Sequence, residues 1–214
     1  YVHSVNVALI ASILGQWLKF SEKDIRILTI SGLLHDIGKI MIPNEILTKP
    51  GKLTVAEYNI MKQHVNFGYE KVKNQNIDIR IKEACLLHHE KCDGTGYPFG
   101  LKSDHIPAVA KIIAIADVYD AMTSARVYRG ALCPFEVIDT MYKDAFTKFE
   151  PEYILPFLKN VASSYINNDV RLSDGRIGKV VLINENALSL PIVQCEDEFI
   201  DLSKTRGLTV SAIL

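Results

Sequence analysis

The run Leu33-Leu34-His35-Asp36-Ile37-Gly38-Lys39 decides how the rest of the chain is read. An apolar helical approach ends in an imidazole, a carboxylate, a glycine and a lysine. His35 offers a neutral nitrogen ligand, and the two oxygens of Asp36 can bridge a pair of cations. Gly38 is expected to end the helix in a left-handed conformation, with Lys39 pointing its charge at an anion held on the metals. Taken alone, a His-Asp pair is more often two surface residues than two ligands. The deciding question is whether further ligands converge on it.

Upstream, Val2, Val5, Leu9, Ile13, Trp17 and Leu18 follow a helical period, with His3 on the first turn. A histidine so placed is ordinarily solvated. Ser21 and Asp24 resemble a capping box that starts a second helix, which delivers His35 and Asp36. Downstream, Pro43, Pro50 and Gly51 mark residues 40 to 53 as mostly loop. Thr54-Val55-Ala56-Glu57 is a strict capping box and opens a helix through Tyr58, Met61, His64, Val65 and Phe67. Judged by that helix alone, His64 reads as a core or boundary histidine.

Asp78 can cap a helix from Ile79 to Glu90 that ends in His88-His89-Glu90. Neighbouring helical residues point about 100° apart, so two adjacent histidines cannot face one point from a regular helix. Either the ligand cluster is wide enough for both, or one histidine ligates and the other supports it. A solvated helix end is the plain alternative. Residues 91 to 103 then concentrate Gly94, Gly96, Pro98 and Gly100 in a structured loop, with Tyr97-Pro98 as a stiff aromatic corner. Residues 107 to 122 form an apolar helix with Asp117 embedded between Ala116 and Val118. A carboxylate there needs a partner, either a metal or a salt bridge to Lys39 or Arg126. Arg126 and Arg129 are three residues apart, as a phosphate clamp on one helix face would require.

Helices near 134 to 146 and 151 to 165 follow from Pro134 and Pro151 at their first turns. From Asn167 the pattern changes. Residues 176–183, 192–195, 198–202 and 208–213 read as short strands, with turns at Asp174-Gly175 and Arg206-Gly207. The expected fold is therefore mainly α over residues 1–166, followed by a small β appendage over 167–214.

At 214 residues, the chain is long enough for a sizeable core. With 48% hydrophobic residues, 23% charged and a net charge of −1, the composition argues against disorder and against a surface for nucleic acid polymers. No apolar run is long enough for a membrane span, and no signal-peptide pattern opens the chain, so a cytoplasmic setting is expected. Cys85, Cys92, Cys133 and Cys195 have no CxxC spacing, which favours reduced thiols over a zinc ribbon or disulfide framework. The chain opens on Tyr1 rather than Met, as a segment of a longer polypeptide would.

Five of the six histidines and two carboxylates thus fall at helix ends or on apolar helix faces: His3, His35, His64, His88, His89, Asp36 and Asp117. This spacing resembles the HD-domain phosphohydrolase superfamily. The run from His88 to Pro98, His-His-Glu-Lys-Cys-Asp-Gly-Thr-Gly-Tyr-Pro, narrows the resemblance to the HD-GYP family. Ile42-Pro43, Lys49 to Thr54, Met61 to His64 and Asp117-Val118-Tyr119-Asp120-Ala121-Met122-Thr123-Ser124 agree with it, over about residues 1 to 158.

The resemblance implies a helical HD-domain bundle that hydrolyses cyclic di-GMP to linear pGpG and in some members on to GMP. It implies His3, His35, Asp36, His64, His88, His89 and Asp117 as metal ligands, with Asp36 and Lys39 at the catalytic centre. Lys39, Tyr97, Arg126 and Arg129 are implied as substrate contacts. Metals bridged by Asp36 would activate water for in-line attack on phosphorus, while Lys39 and the arginines balance charge on the phosphoryl oxygens. Nitrogen and oxygen donors without thiolate favour iron or manganese. Family members with three metals carry a glutamate one turn before the first histidine, a position before Tyr1. Two divalent ions are therefore expected, with substrate able to recruit a third. Two other functions compete: hydrolysis of another nucleotide or cyclic dinucleotide, and a catalytically silent module that binds signalling proteins through the Gly-Tyr-Pro loop.

Overall fold

A computed structural model describes residues 2–124 and 132–214. Arg126 and Arg129 lie outside the described residues. The architecture is the expected one, mainly α with a small C-terminal β sheet. The helices are α1 (Val2–Trp17), α2 (Glu22–Leu34), α3 (Asn44–Leu47), α4 (Val55–Lys62), α5 (His64–Val72), α6 (Ile79–Leu87), α7 (Ala108–Thr123), α8 (Pro134–Asp144) and α9 (Pro151–Ser164). Helix α7 is apolar nearly all round and becomes the central rod, burying Ile112, Ile113, Ile115 and Ala116. Around it pack Val7, Ala11 and Leu14 of α1, Leu28 of α2, Ile138 and Met141 of α8, and Phe157 and Leu158 of α9.

The caps form as the sequence suggests. Ser21 accepts from the Asp24 amide, Thr54 and Glu57 complete the capping box, and Asp78 accepts from the Arg80 amide. Three local readings change, and all three shape the centre of the molecule. The helix expected to run from Thr54 through Phe67 breaks at Gln63 into α4 and α5. There the His64 Nδ1–H donates to the Met61 carbonyl at 2.8 Å, and Gln63 N–H takes the Ile60 carbonyl in a tighter turn. Helix α6 stops at Leu87 rather than Glu90: His88 is its last helical turn's cap, with its N–H still on the Ala84 carbonyl, and His89 lies beyond the helix.

The third change concerns Gly38, which is not left-handed. The chain leaves α2 through His35 and Asp36 into a 3₁₀ turn, Ile37–Met41. Glycine is required there by space: a Cβ would overlap the His64 carbonyl oxygen and the Gly68 amide. The His-Asp turn and α5 are thereby pressed backbone to backbone. Leu33, read as part of the buried approach, faces outward at 44% exposure.

The C-terminal strands are β1 (Asp169–Leu172), β2 (Ile177–Leu182), β3 (Ile192–Cys195), β4 (Glu198–Asp201) and β5 (Val210–Ile213). They form one antiparallel sheet in the order β4-β3-β2-β1-β5. Strand β1 was missed in the sequence, although Val170 and Leu172 alternate inward as a half-buried strand should. Turns at Gly175 and Gly207 use positive φ, at +94° and +79°. Val170, Leu172, Val180, Val193 and Val210 join the same hydrophobic core as α8 and α9. The four cysteines are free, and no helix among the described residues is long and apolar enough to cross a membrane.

Gly38→Ala should destabilise the fold by about 1–3 kcal/mol, the usual cost of overpacking a tight contact, and should loosen His64 with it. Urea unfolding checks the first effect; a wild-type midpoint would contradict the close approach.

Candidate metal centre

Each ligand candidate sits where an element ends or turns inward. His3 lies on the first turn of α1, His35 and Asp36 leave α2, His64 opens α5, His88 and His89 leave α6, and Asp117 projects from α7. The structure brings all seven together as two adjoining groups. Asp36, His64, His88 and His89 form one, and His3, His35 and Asp117 the other, with donor atoms within 4.8 Å of one another in each.

Asp36 stands between the groups. Its Oδ1 lies 3.3 Å from His64 Nε2 and 3.9 Å from His88 Nε2, while its Oδ2 lies 3.3 Å from His35 Nε2 and 3.5 Å from His3 Nε2. Asp117 is split in the same way, with Oδ1 3.1 Å from His3 Nε2 and Oδ2 3.9 Å from His89 Nδ1. Lys39 Nζ donates to Asp36 Oδ2 at 2.5 Å, so its charge faces the bridging carboxylate.

Three of the histidines are oriented by backbone. The Nδ1–H groups of His35, His64 and His88 donate to the carbonyls of Gly32, Met61 and Ala84 at 2.7, 2.8 and 2.9 Å. That arrangement fixes the tautomer and leaves Nε2 as a lone-pair donor facing the centre. Burial pushes the pKa of His64 down, that of His88 well down and that of His89 to about 4. These imidazoles are therefore neutral, the state a ligand needs. Burial alone would raise Asp36 and Asp117. The facing His35 ring and the Lys39 ammonium instead hold Asp36 well below the usual carboxylate range, and the contact with His3 does the same for Asp117.

A divalent cation fits this donor set. His35 Nε2 and Asp36 Oδ1 are buried and have no hydrogen-bond partner, whereas buried polar atoms are normally paired. Both face the cluster, and nitrogen and carboxylate oxygen are suitable ligands for iron, manganese or zinc.

The Gly-Tyr-Pro loop forms one wall of an adjoining cavity of about 480 Å³, lined by Lys39, Tyr58, His64, His89, Lys91 and Tyr97. Tyr97 stacks on His89, with ring centroids 4.7 Å apart. The sequence reading overlooked the residue that fastens this loop. Glu90 is buried and accepts three amides, from Phe99 at 2.7 Å, Gly100 at 3.2 Å and Leu101 at 2.9 Å. Its signal was an acid directly after two candidate ligands. Asp120 was also overlooked: quoted only within a motif, it accepts from His3 Nδ1 at 2.6 Å.

Comparison with known proteins gives the family of the chain. The HD domain family model matches residues 3–153. The chain is 37% identical over 195 residues to the cyclic di-GMP phosphodiesterase PA4108 of Pseudomonas aeruginosa, covering 91% of this chain and 47% of that protein. It is 41% identical over 155 residues to the cyclic di-GMP phosphodiesterase response regulator RpfG of Xanthomonas campestris, covering 72% and 41%. The chain thus spans less than half the length of either relative. In fold it is similar to Bd1817, an HD-GYP-type protein of Bdellovibrio bacteriovorus, with a TM-score of 0.60 and 23% identity over 72% of this chain and 50% of that one. HD phosphohydrolases use divalent metals, and the clustered histidines and aspartates here can bind them. The chain belongs to the HD domain family.

Proposed function

We propose that this chain is a metal-dependent phosphodiesterase that cleaves cyclic di-GMP to linear pGpG, with further cleavage to GMP open to the same site. The observation that carries the reading is the division of Asp36 between two donor groups beside a cavity with cationic walls. The names of the relatives support the substrate.

In this reading His3, His35 and Asp117 would hold one divalent ion, and His64, His88 and His89 a second, with Asp36 available to both. Iron or manganese suits these donors, and substrate phosphate can bring a third ion. Such ions supply Lewis acidity and lower the pKa of water at the site. The chain's own part is to hold Asp36 between the two donor groups and to keep His64, His88 and His89 neutral. Lys39, 35% exposed at the cavity edge, places a cation where phosphoryl oxygens gain charge. Tyr97, backed by His89, supplies a flat wall against which a purine can lie, and burial holds its phenol protonated. Glu90 keeps that wall in place.

Chelation should abolish cyclic di-GMP turnover, and ferrous or manganous ion added to the stripped protein should restore it. Undiminished turnover in a demonstrably metal-free sample would refute the reading.

Substitutions should separate the two groups. Asp36→Ala is expected to lose both ions and all activity, whereas His64→Ala should empty one position preferentially. Metal content per folded chain measures this, and two ions retained by Asp36→Ala would show that Asp36 does not bridge.

A further inference from the structure

We propose that Asp120 is a positioning residue, acting through His3: it holds that ring in the tautomer and orientation that turn Nε2 toward Asp117 and Asp36. Asp120 lies one turn after Asp117 on α7, and its side chain is 5% exposed. Its Oδ2 takes His3 Nδ1 at 2.6 Å, and its Oδ1 takes Asn6 Nδ2 at 2.8 Å and Ser124 Oγ at 2.9 Å. A carboxylate is an acceptor only, so Nδ1 keeps its proton toward Asp120, and Nε2, 3.1 Å from Asp117 Oδ1, is the nitrogen left to face a cation.

His35, His64 and His88 obtain the same result from carbonyls three or four residues earlier in their own chain segment. His3 obtains it from a different helix, 117 residues away in sequence. Asp120 therefore does locally what a backbone carbonyl does elsewhere in the centre, and it also ties the first turn of α1 to the last turns of α7. The pattern calls for a carboxylate. Three donors converge on it, and an amide of the same shape must turn its NH₂ toward at least one of them. If that NH₂ faces His3, the ring accepts at Nδ1 and carries its proton on Nε2, where it cannot ligate. A carboxylate behind a ligating imidazole also raises its basicity, and removing such a partner typically costs about 10–100-fold in metal affinity.

The inference rests on the metal-centre reading, but its first test does not. Nitrogen-15 spectra of the full chain without added metal report directly whether His3 Nδ1 carries a proton. The wild type should be the Nδ1–H form, and Asp120→Asn should shift the population toward Nε2–H. A wild-type ring with a bare Nδ1 overturns the proposal with no variant needed. The second test is Mn²⁺ titration. Asp120→Asn should weaken one of the two ions about 10–100-fold, and adding it to His3→Gln should cost nothing further. An equal loss with and without His3 would show that Asp120 acts by another route and would overturn the proposal. A wild type that binds no Mn²⁺ fails the metal reading, while the tautomer still decides the role of Asp120.

Discussion

The structure depends on the placing of one carboxylate, Asp36, with 9% of its side chain exposed and imidazoles on both sides. Ionised carboxylates are costly to bury without compensating charge. Lys39 supplies part of it, and divalent cations on the two flanks would supply the rest. The surrounding architecture serves to hold that group at the meeting point of five helices. His64 and His88 are buried by the same packing and are kept neutral by it, so burial both isolates the carboxylate and prepares its neighbours as ligands.

Helix ends, more than helix faces, build the centre. A regular helix separates adjacent side chains too widely for His35 and Asp36, or His88 and His89, to share a focus. The chain resolves this by leaving α2 and α6 at those pairs. The 3₁₀ turn after Asp36 is locked against α5 by Gly38, which fixes His64 relative to the His-Asp pair. Glu90 makes the corresponding link on the other side, coupling the His pair to the Gly-Tyr-Pro loop through three amides. Ligand geometry and cavity wall are thus set by the same short segments.

Much of this was legible in the sequence because the signals were local. Capping residues at Ser21, Thr54 and Asp78 located helix starts, and histidines on apolar faces pointed to the centre. The break at Gln63 was not legible, because apolar periodicity continues across it while a side chain takes over a carbonyl. The role of Gly38 depends on the backbone of a segment that follows it by about thirty residues, and a left-handed turn was the more obvious use of a glycine. Asp120 carried the same signal as Asp117, an acid inside an apolar helix, but its meaning requires His3, Asn6 and Ser124 to meet in space. Strand β1, Asp169-Val170-Arg171-Leu172, places charged residues at its two outward positions and only two apolar ones inward, a weaker signal than its neighbours carry.

The central claim is that two cations share Asp36. Anomalous scattering at the metal edge, from substrate-free crystals grown with manganous or ferrous ion, tests it most directly. The account predicts two peaks, one among His3, His35 and Asp117 and the other among His64, His88 and His89, with Asp36 in contact with both. A single peak, or a pair of which only one touches Asp36, would contradict it.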